Sequence, residues 1–191
     1  YILYQPTENI NRFARTFPSA VKGVLKMSKV LDDIKKRAVK LNKHIVLPEG
    51  EDKRVVEAAA VSVKEGVARI TLLGNPEEIK KNNPETDLSG VTIIDPKTYE
   101  KTEEYAQLLT ELRKAKGMTI ELARETLAKD YTMYGALMLK AGDVDGMVSG
   151  ACHSTANTLR PGLQVIKTAK GTPIVSAYFL MIAPEGGNKY C

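Results

Sequence analysis

At 191 residues, with 43% hydrophobic and 27% charged side chains, the chain is long enough for one sizeable domain, or for one domain and the start of a second. Its composition is too apolar for a disordered chain. The formal charge of +5 is concentrated in residues 1–26, where Arg12, Arg15, Lys22 and Lys26 face only Glu8. Elsewhere acidic and basic residues mix as on a solvated face, no basic stripe with interleaved aromatics suggests nucleic acid, and no stretch approaches the roughly 18 consecutive apolar residues of a membrane span.

Residues 1–26 lack the apolar block of a secretory signal, and Met27-Ser28-Lys29 reads like a natural start. The segment is set aside as an extension of uncertain role, with a transit peptide left open by Arg12 and Arg15. From Met27 onward helical and strand patterns alternate. Leu31, Ile34, Ala38 and Leu41 recur at helical spacing, and His44-Ile45-Val46-Leu47 is a short apolar run stopped by Pro48 and Gly50, as a buried strand would be. A helix is predicted from Asp52 to Glu65, a strand at 69–73 ending in Gly74-Asn75, and a strand at 91–94 before Asp95-Pro96. Tyr105, Leu108, Leu109 and Leu112 mark an amphipathic helix that Gly117 ends, followed by helices at 119–128 and 131–140. The pattern continues with a strand from Val144 to Ser149, a helix from Leu159 to Lys167 that opens near Pro161, and a strand from Pro173 to Ile182.

Short apolar runs separated by helices imply a parallel sheet covered on both faces, because parallel strands need crossovers and the helices supply them. The expected fold is therefore α/β, a three-layer parallel-sheet domain over residues 27–150, incomplete, with the beginning of a second, truncated α/β domain over residues 151–191.

Ligands of such sheets gather beyond the carboxyl ends of the strands. The best candidate segment runs from Val144 to Pro161, where a strand enters a loop of small and hydroxyl residues and then a helix. Gly146 and Gly150 permit close backbone approach, the hydroxyls of Ser154, Thr155 and Thr158 can contact anionic oxygens, and Arg160 adds a planar cationic fork that fits phosphate. The alternative is that Ser154 to Thr158 merely cap the helix and Arg160 makes a surface ion pair. By itself Arg113 reads as a solvated arginine at a helix C-terminus. Glu49, Glu51 and Asp52 are equally ambiguous: Asp52 can cap a helix, or the carboxylates can organise a cleft. Tyr131 and Tyr134 read as packing residues. Two cysteines, Cys152 and Cys191, and two histidines, His44 and His153, lack the spacing of a disulfide framework or zinc site, so no metal and a reducing, cytoplasmic setting are expected.

Several segments taken in order resemble one family. Leu47-Pro48-Glu49-Gly50-Glu51-Asp52-Lys53-Arg54, Leu72-Leu73-Gly74-Asn75, Leu112-Arg113-Lys114, the run from Gly142 to Gly150, and Ser154-Thr155-Ala156-Asn157-Thr158-Leu159-Arg160-Pro161 are similar to the phosphate acetyltransferases over about residues 27–182. The resemblance implies reversible acetyl transfer between acetyl phosphate and coenzyme A, in a cleft between two α/β domains where the thiolate attacks the acetyl carbonyl directly. It assigns Arg113 and Arg160 to catalysis and Ser154, Thr155 and Thr158 to substrate contacts. It implies no metal and no permanently bound cofactor, coenzyme A being a substrate, with inorganic phosphate as the other product and a homodimer as the full-length assembly. Members of the family are about twice as long, their proposed general-base Asp lies in a C-terminal half not present here, and the residues from Pro184 to Cys191 fit poorly. The chain is therefore expected to be a fragment without activity of its own. A phosphate butyryltransferase, a related domain fused to malic enzyme, and a non-catalytic anion- or coenzyme A-binding module are the competing readings.

Overall fold

The computed structural model describes residues 29–168 together with 171 and 174, so the extension over 1–26, the strand expected from Pro173 to Ile182 (apart from residue 174) and Cys191 lie outside the described residues. Chain order is α1 (Lys29–Leu41), β1 (His44–Leu47), α2 (Lys53–Lys64), β2 (Arg69–Leu73), α3 (Pro76–Asn82), β3 (Thr92–Ile94), α4 (Thr102–Arg113), α5 (Ile120–Lys129), α6 (Tyr131–Ala141), β4 (Gly146–Met147) and α7 (Thr155–Pro161). A single 3₁₀ turn, Lys114–Lys116, follows α4, and a π-helical turn, Gly162–Ile166, follows α7.

The four strands are parallel in the order β3-β2-β1-β4. Each strand contributes side chains alternately to two faces, which is why short continuous apolar runs suffice. Val46 and Leu73 join α4, α5 and α6 on one face in a core that includes Leu109, Leu127 and Leu137. Leu47, Ile70 and Leu72 join Val55, Val56 and Ala59 of α2 and Ile79 of α3 on the other. Tyr105 and Tyr134 are buried and meet edge to face at 5.1 Å, the Tyr105 hydroxyl donates to Asp143 at 2.7 Å, and Tyr134 bonds Thr102 at 2.8 Å. Tyr134 is thus a packing residue whose polar end is satisfied.

Local signals explain most boundaries. Asp52 caps α2 by accepting from the Arg54 N–H, Thr119 caps α5 and Asp130 caps α6. Helix α3 is missing from the sequence reading because only Ile79 is buried and no periodicity results. Its signature was nevertheless present in Asn75 as cap, accepting from Glu77 and Glu78, and Pro76 in the first turn. Strand β4 is shorter than the predicted 144–149, but bonds from the Asp145 N–H to the His44 carbonyl (2.7 Å) and from the Val148 N–H to the Val46 carbonyl (3.1 Å) carry its alignment with β1 beyond the two ladder residues.

The last helix differs more. It opens at Thr155, capped by Ser154, and Pro161 ends it rather than starting it. Proline lacks the N–H that would bond one turn back, and the backbone widens into the π turn immediately after it. Val165 of that turn is buried in the α4–α5–α6 core, so residues 155–166 pack onto α6. In α1, by contrast, Ile34, Val39 and Leu41 are 41%, 42% and 64% exposed, and the predicted apolar stripe belongs to neither core.

Gly50 lies where β1 turns toward α2, its N–H bonded to the Leu73 carbonyl at 3.2 Å. A Cβ there would sit 2.4 Å from that carbonyl oxygen, which is backbone and cannot step aside. Gly50→Ala should therefore destabilise the fold by about 1–3 kcal/mol, and Leu72→Ala, which empties a fully buried position, by about 2–5 kcal/mol, both read from urea denaturation midpoints.

Candidate functional site

Strand order decides where the site lies. The chain runs outward from β1 to β2 to β3 and then returns to the other side of β1 as β4. The loops leaving β1 and β4 therefore emerge side by side at the carboxyl edge and diverge, the switch point at which open parallel sheets bind ligands.

At this point Glu49, the second residue after β1, meets the loop after β4. Its side chain is 1% exposed. Oε2 accepts from the N–H groups of Gly150 (2.9 Å) and Ala151 (3.0 Å), and Oε1 from the Cys152 N–H (3.0 Å). Nδ1 of His153 lies 2.7 Å from Oε1. Three successive backbone N–H groups can converge on one carboxylate because Gly150 has φ +110°, a conformation that side chains disfavour. Burial pushes the Glu49 carboxyl up, but the bonds from His153 and from the N–H groups of Ala151, Cys152 and Gly150 outweigh it and hold the group down at about 2. An ionised carboxylate only accepts, so Nδ1 of His153 carries the shared proton.

Arg54 braces the same loop from α2. Its guanidinium binds Asp52 through two bonds, at 3.0 and 2.6 Å, and donates to the Ala151 carbonyl at 2.7 Å. The Cys152 thiol lies 3.4 Å from Glu49 and 3.5 Å from Glu51. Burial and these two carboxylates push it up to about 12.

Glu49, Cys152 and His153 present three donor atoms within 4.8 Å of one another, a set that would suit a borderline divalent cation such as zinc. The fit is poor on chemical grounds. Each Glu49 oxygen already accepts at least two hydrogen bonds, Nδ1 holds a proton, and the thiol is biased against ionisation, so a cation would have to dismantle the arrangement that brings the donors together.

The predicted substrate residues follow directly. Ser154, Thr155, Thr158 and Arg160 lie together on α7 and its cap, all exposed except the partly buried Thr158. Ser154 Oγ accepts from the Asn157 N–H at 3.3 Å, and Thr158 Oγ1 donates to the Ser154 carbonyl at 3.0 Å. Capping and local bonding thus occupy part of the hydroxyl capacity, as the alternative reading expected, while Arg160 makes no ion pair or hydrogen bond among the described residues and remains an available cation. Arg113 ends α4, which packs against the π turn after α7, and its guanidinium too forms no hydrogen bond or ion pair among the described residues. Sequence reasoning left Glu49 ambiguous and assigned nothing to Arg54 or His153. Their only signal was that the first two fall in one quoted motif and the third directly precedes another.

Residues 29–191 match the family described as Phosphate acetyl/butaryl transferase, through to the final residue. The chain belongs to that family. A phosphate acetyltransferase of Acetivibrio thermocellus is 54% identical over 155 residues, covering 81% of this chain and 46% of the relative. The phosphate acetyltransferase of Escherichia coli is 49% identical over 151 residues, 78% of this chain and 21% of that protein. Among solved structures, the EutD phosphotransacetylase of Staphylococcus aureus superposes with a TM-score of 0.75 at 37% identity, covering 82% of this chain and 47% of that one. This family chain therefore spans less than half the length of these relatives.

Two outcomes test the electrostatics. A carboxyl held below its ordinary 4.5 contributes stability that is complete above that pH and is lost as pH falls through about 2. The urea midpoint should therefore drop more steeply across that window in the wild type than in Glu49→Gln. Alkylation of Cys152 by iodoacetamide at about pH 8, followed by mass spectrometry, should be at least ~100-fold slower than for a free cysteine, because thiolate is scarce.

Proposed function

We propose that the protein containing this chain is a phosphate acetyltransferase, transferring acetyl reversibly between acetyl phosphate and coenzyme A, and that this chain supplies the part of the site that holds phosphate. The observation that carries the reading is the uncommitted Arg160, held on α7 directly after a loop that is pinned at the switch point of the sheet. Family membership and the names of the similar proteins support the same chemistry.

In the proposed reaction the thiolate sulfur of coenzyme A attacks the acetyl carbonyl carbon, an S–C bond forms, the C–O bond to phosphorus breaks, and phosphate leaves with the electron pair. The thiol proton goes to a base. Negative charge moves from sulfur through the carbonyl oxygen to the departing phosphate, so fixed cations and donors at that phosphate lower the barrier. Arg160 provides a forked cation with no partner to desert among the described residues, Ser154 retains its hydroxyl hydrogen because its oxygen serves as the cap acceptor, and Thr155 is exposed beside it. Thr158 must release the Ser154 carbonyl before it can donate to an anion. Arg113 is read as a second cation for the same charge. The reaction needs no resident cofactor, coenzyme A entering as substrate. A cytoplasmic setting and a homodimer of the full-length protein belong to the same reading. Among the described residues no helix is long and apolar enough to cross a membrane. The family description covers butyryl as well as acetyl transfer, and the similar proteins named phosphate acetyltransferase favour the shorter acyl group.

Acetyl-CoA formation from acetyl phosphate and coenzyme A, followed by thioester absorbance in the full-length protein, should fall roughly 100- to 1,000-fold in Arg160→Ala with an unchanged denaturation midpoint. Wild-type turnover in that variant would remove Arg160 from the site, and absence of acetyl transfer in the wild type would overturn the function.

A further inference from the structure

Residues 152–157 are all exposed, so apolar packing does not hold the start of α7 in place. In the loop before it only Ala151 packs against a core, the one on the α2 side. The helix itself has seven residues, too few to be stable by its own propensity. What fixes its starting point is polar. Glu49 gathers the N–H groups of residues 150, 151 and 152 and the imidazole of His153, and Arg54 holds the carbonyl of Ala151. One arm arises from the β1–α2 connection and the other from the first turn of α2, so β1 and its neighbour β4 are tied together just beyond the sheet.

A buried carboxylate is costly unless its bonds are complete, and here they are complete on both oxygens. A neutral side chain cannot substitute. Glutamine has one acceptor oxygen and would turn an NH₂ group toward N–H donors, while aspartate is one methylene too short to keep the same reach.

We propose that Glu49 is a positioning residue for the transfer reaction: by clamping residues 150–153 it sets the place from which α7 presents Ser154, Thr155, Thr158 and Arg160. This rests on the phosphate-holding role proposed above. The carboxylate touches no reacting atom. It acts through the loop, and displacement of a cationic fork by even one ångström reduces the rate far more than it reduces binding of the remote coenzyme A moiety.

The test uses the full-length protein. In Glu49→Gln, kcat for acetyl transfer per folded protein, with the folded fraction measured by circular dichroism, should fall at least ~100-fold while KM for coenzyme A stays within about threefold; normalising to folded protein removes the fall in apparent kcat that unfolding alone would cause. A folded variant with kcat within about threefold of wild type overturns the proposal. Hydrogen exchange on the wild type decides the matter even if the variant fails to fold. The amides of Gly150, Ala151 and Cys152 should be protected at least ~100-fold relative to an unstructured chain, despite lying in a loop. Unprotected amides in an enzyme that transfers acetyl overturn the positioning role, whereas an inactive wild type with protected amides overturns the function it was proposed to serve.

Discussion

Much of the arrangement at the carboxyl edge depends on one buried negative charge. The Glu49 carboxylate is excluded from water and yet remains ionised, because three backbone N–H groups and an imidazole replace the solvent it has lost. The same bonds satisfy amides of a loop that has almost no apolar anchor of its own. Two otherwise unfavourable components, a buried charge and an exposed loop with convergent N–H dipoles, stabilise each other. The result is a rigid corner between β1 and β4 built without bulk.

The sheet makes that corner possible. A parallel strand order that reverses between β1 and β4 leaves two adjacent loops heading apart above the same edge, and the backbone bonds on both sides of β4 fix their separation. Below the corner the two apolar cores take the conventional role: α4, α5 and α6 cover one face and α2 and α3 the other. The division of labour follows from chemistry. Hydrophobic burial is non-directional and fixes where the layers lie, whereas the placement of a few cationic and hydroxyl groups toward a ligand demands directional bonds.

Charge also separates the roles of neighbouring residues. Cys152 stands between two carboxylates that discourage its ionisation, so it is a poor candidate for nucleophilic chemistry despite its exposure. Arg54 is committed to Asp52 and to the loop carbonyl. Arg160 has no such commitments among the described residues. Two arginines close to one loop thus differ in availability: one is a brace and the other is left for an anion.

The amino-acid sequence by itself determined the α/β class, the β1–α2–β2 succession and the Ser154–Pro161 segment, and it offered two readings of Asp52, a cap or a cleft carboxylate, because apolar periodicity and capping are short-range properties readable within a few residues. Family resemblance also rested on such contiguous motifs. Local rules misplaced the start of α7, where Ser154 rather than Pro161 is the helix signal, and passed over α3, whose single buried residue leaves no period. Only the tertiary structure decided the role of Glu49. Its partners lie 101 to 104 residues away, and no local pattern distinguishes a carboxylate that caps from one that clamps. That distinction arises when the sheet places β4 beside β1, since the directions of N–H groups in a distant loop are set by the fold as a whole.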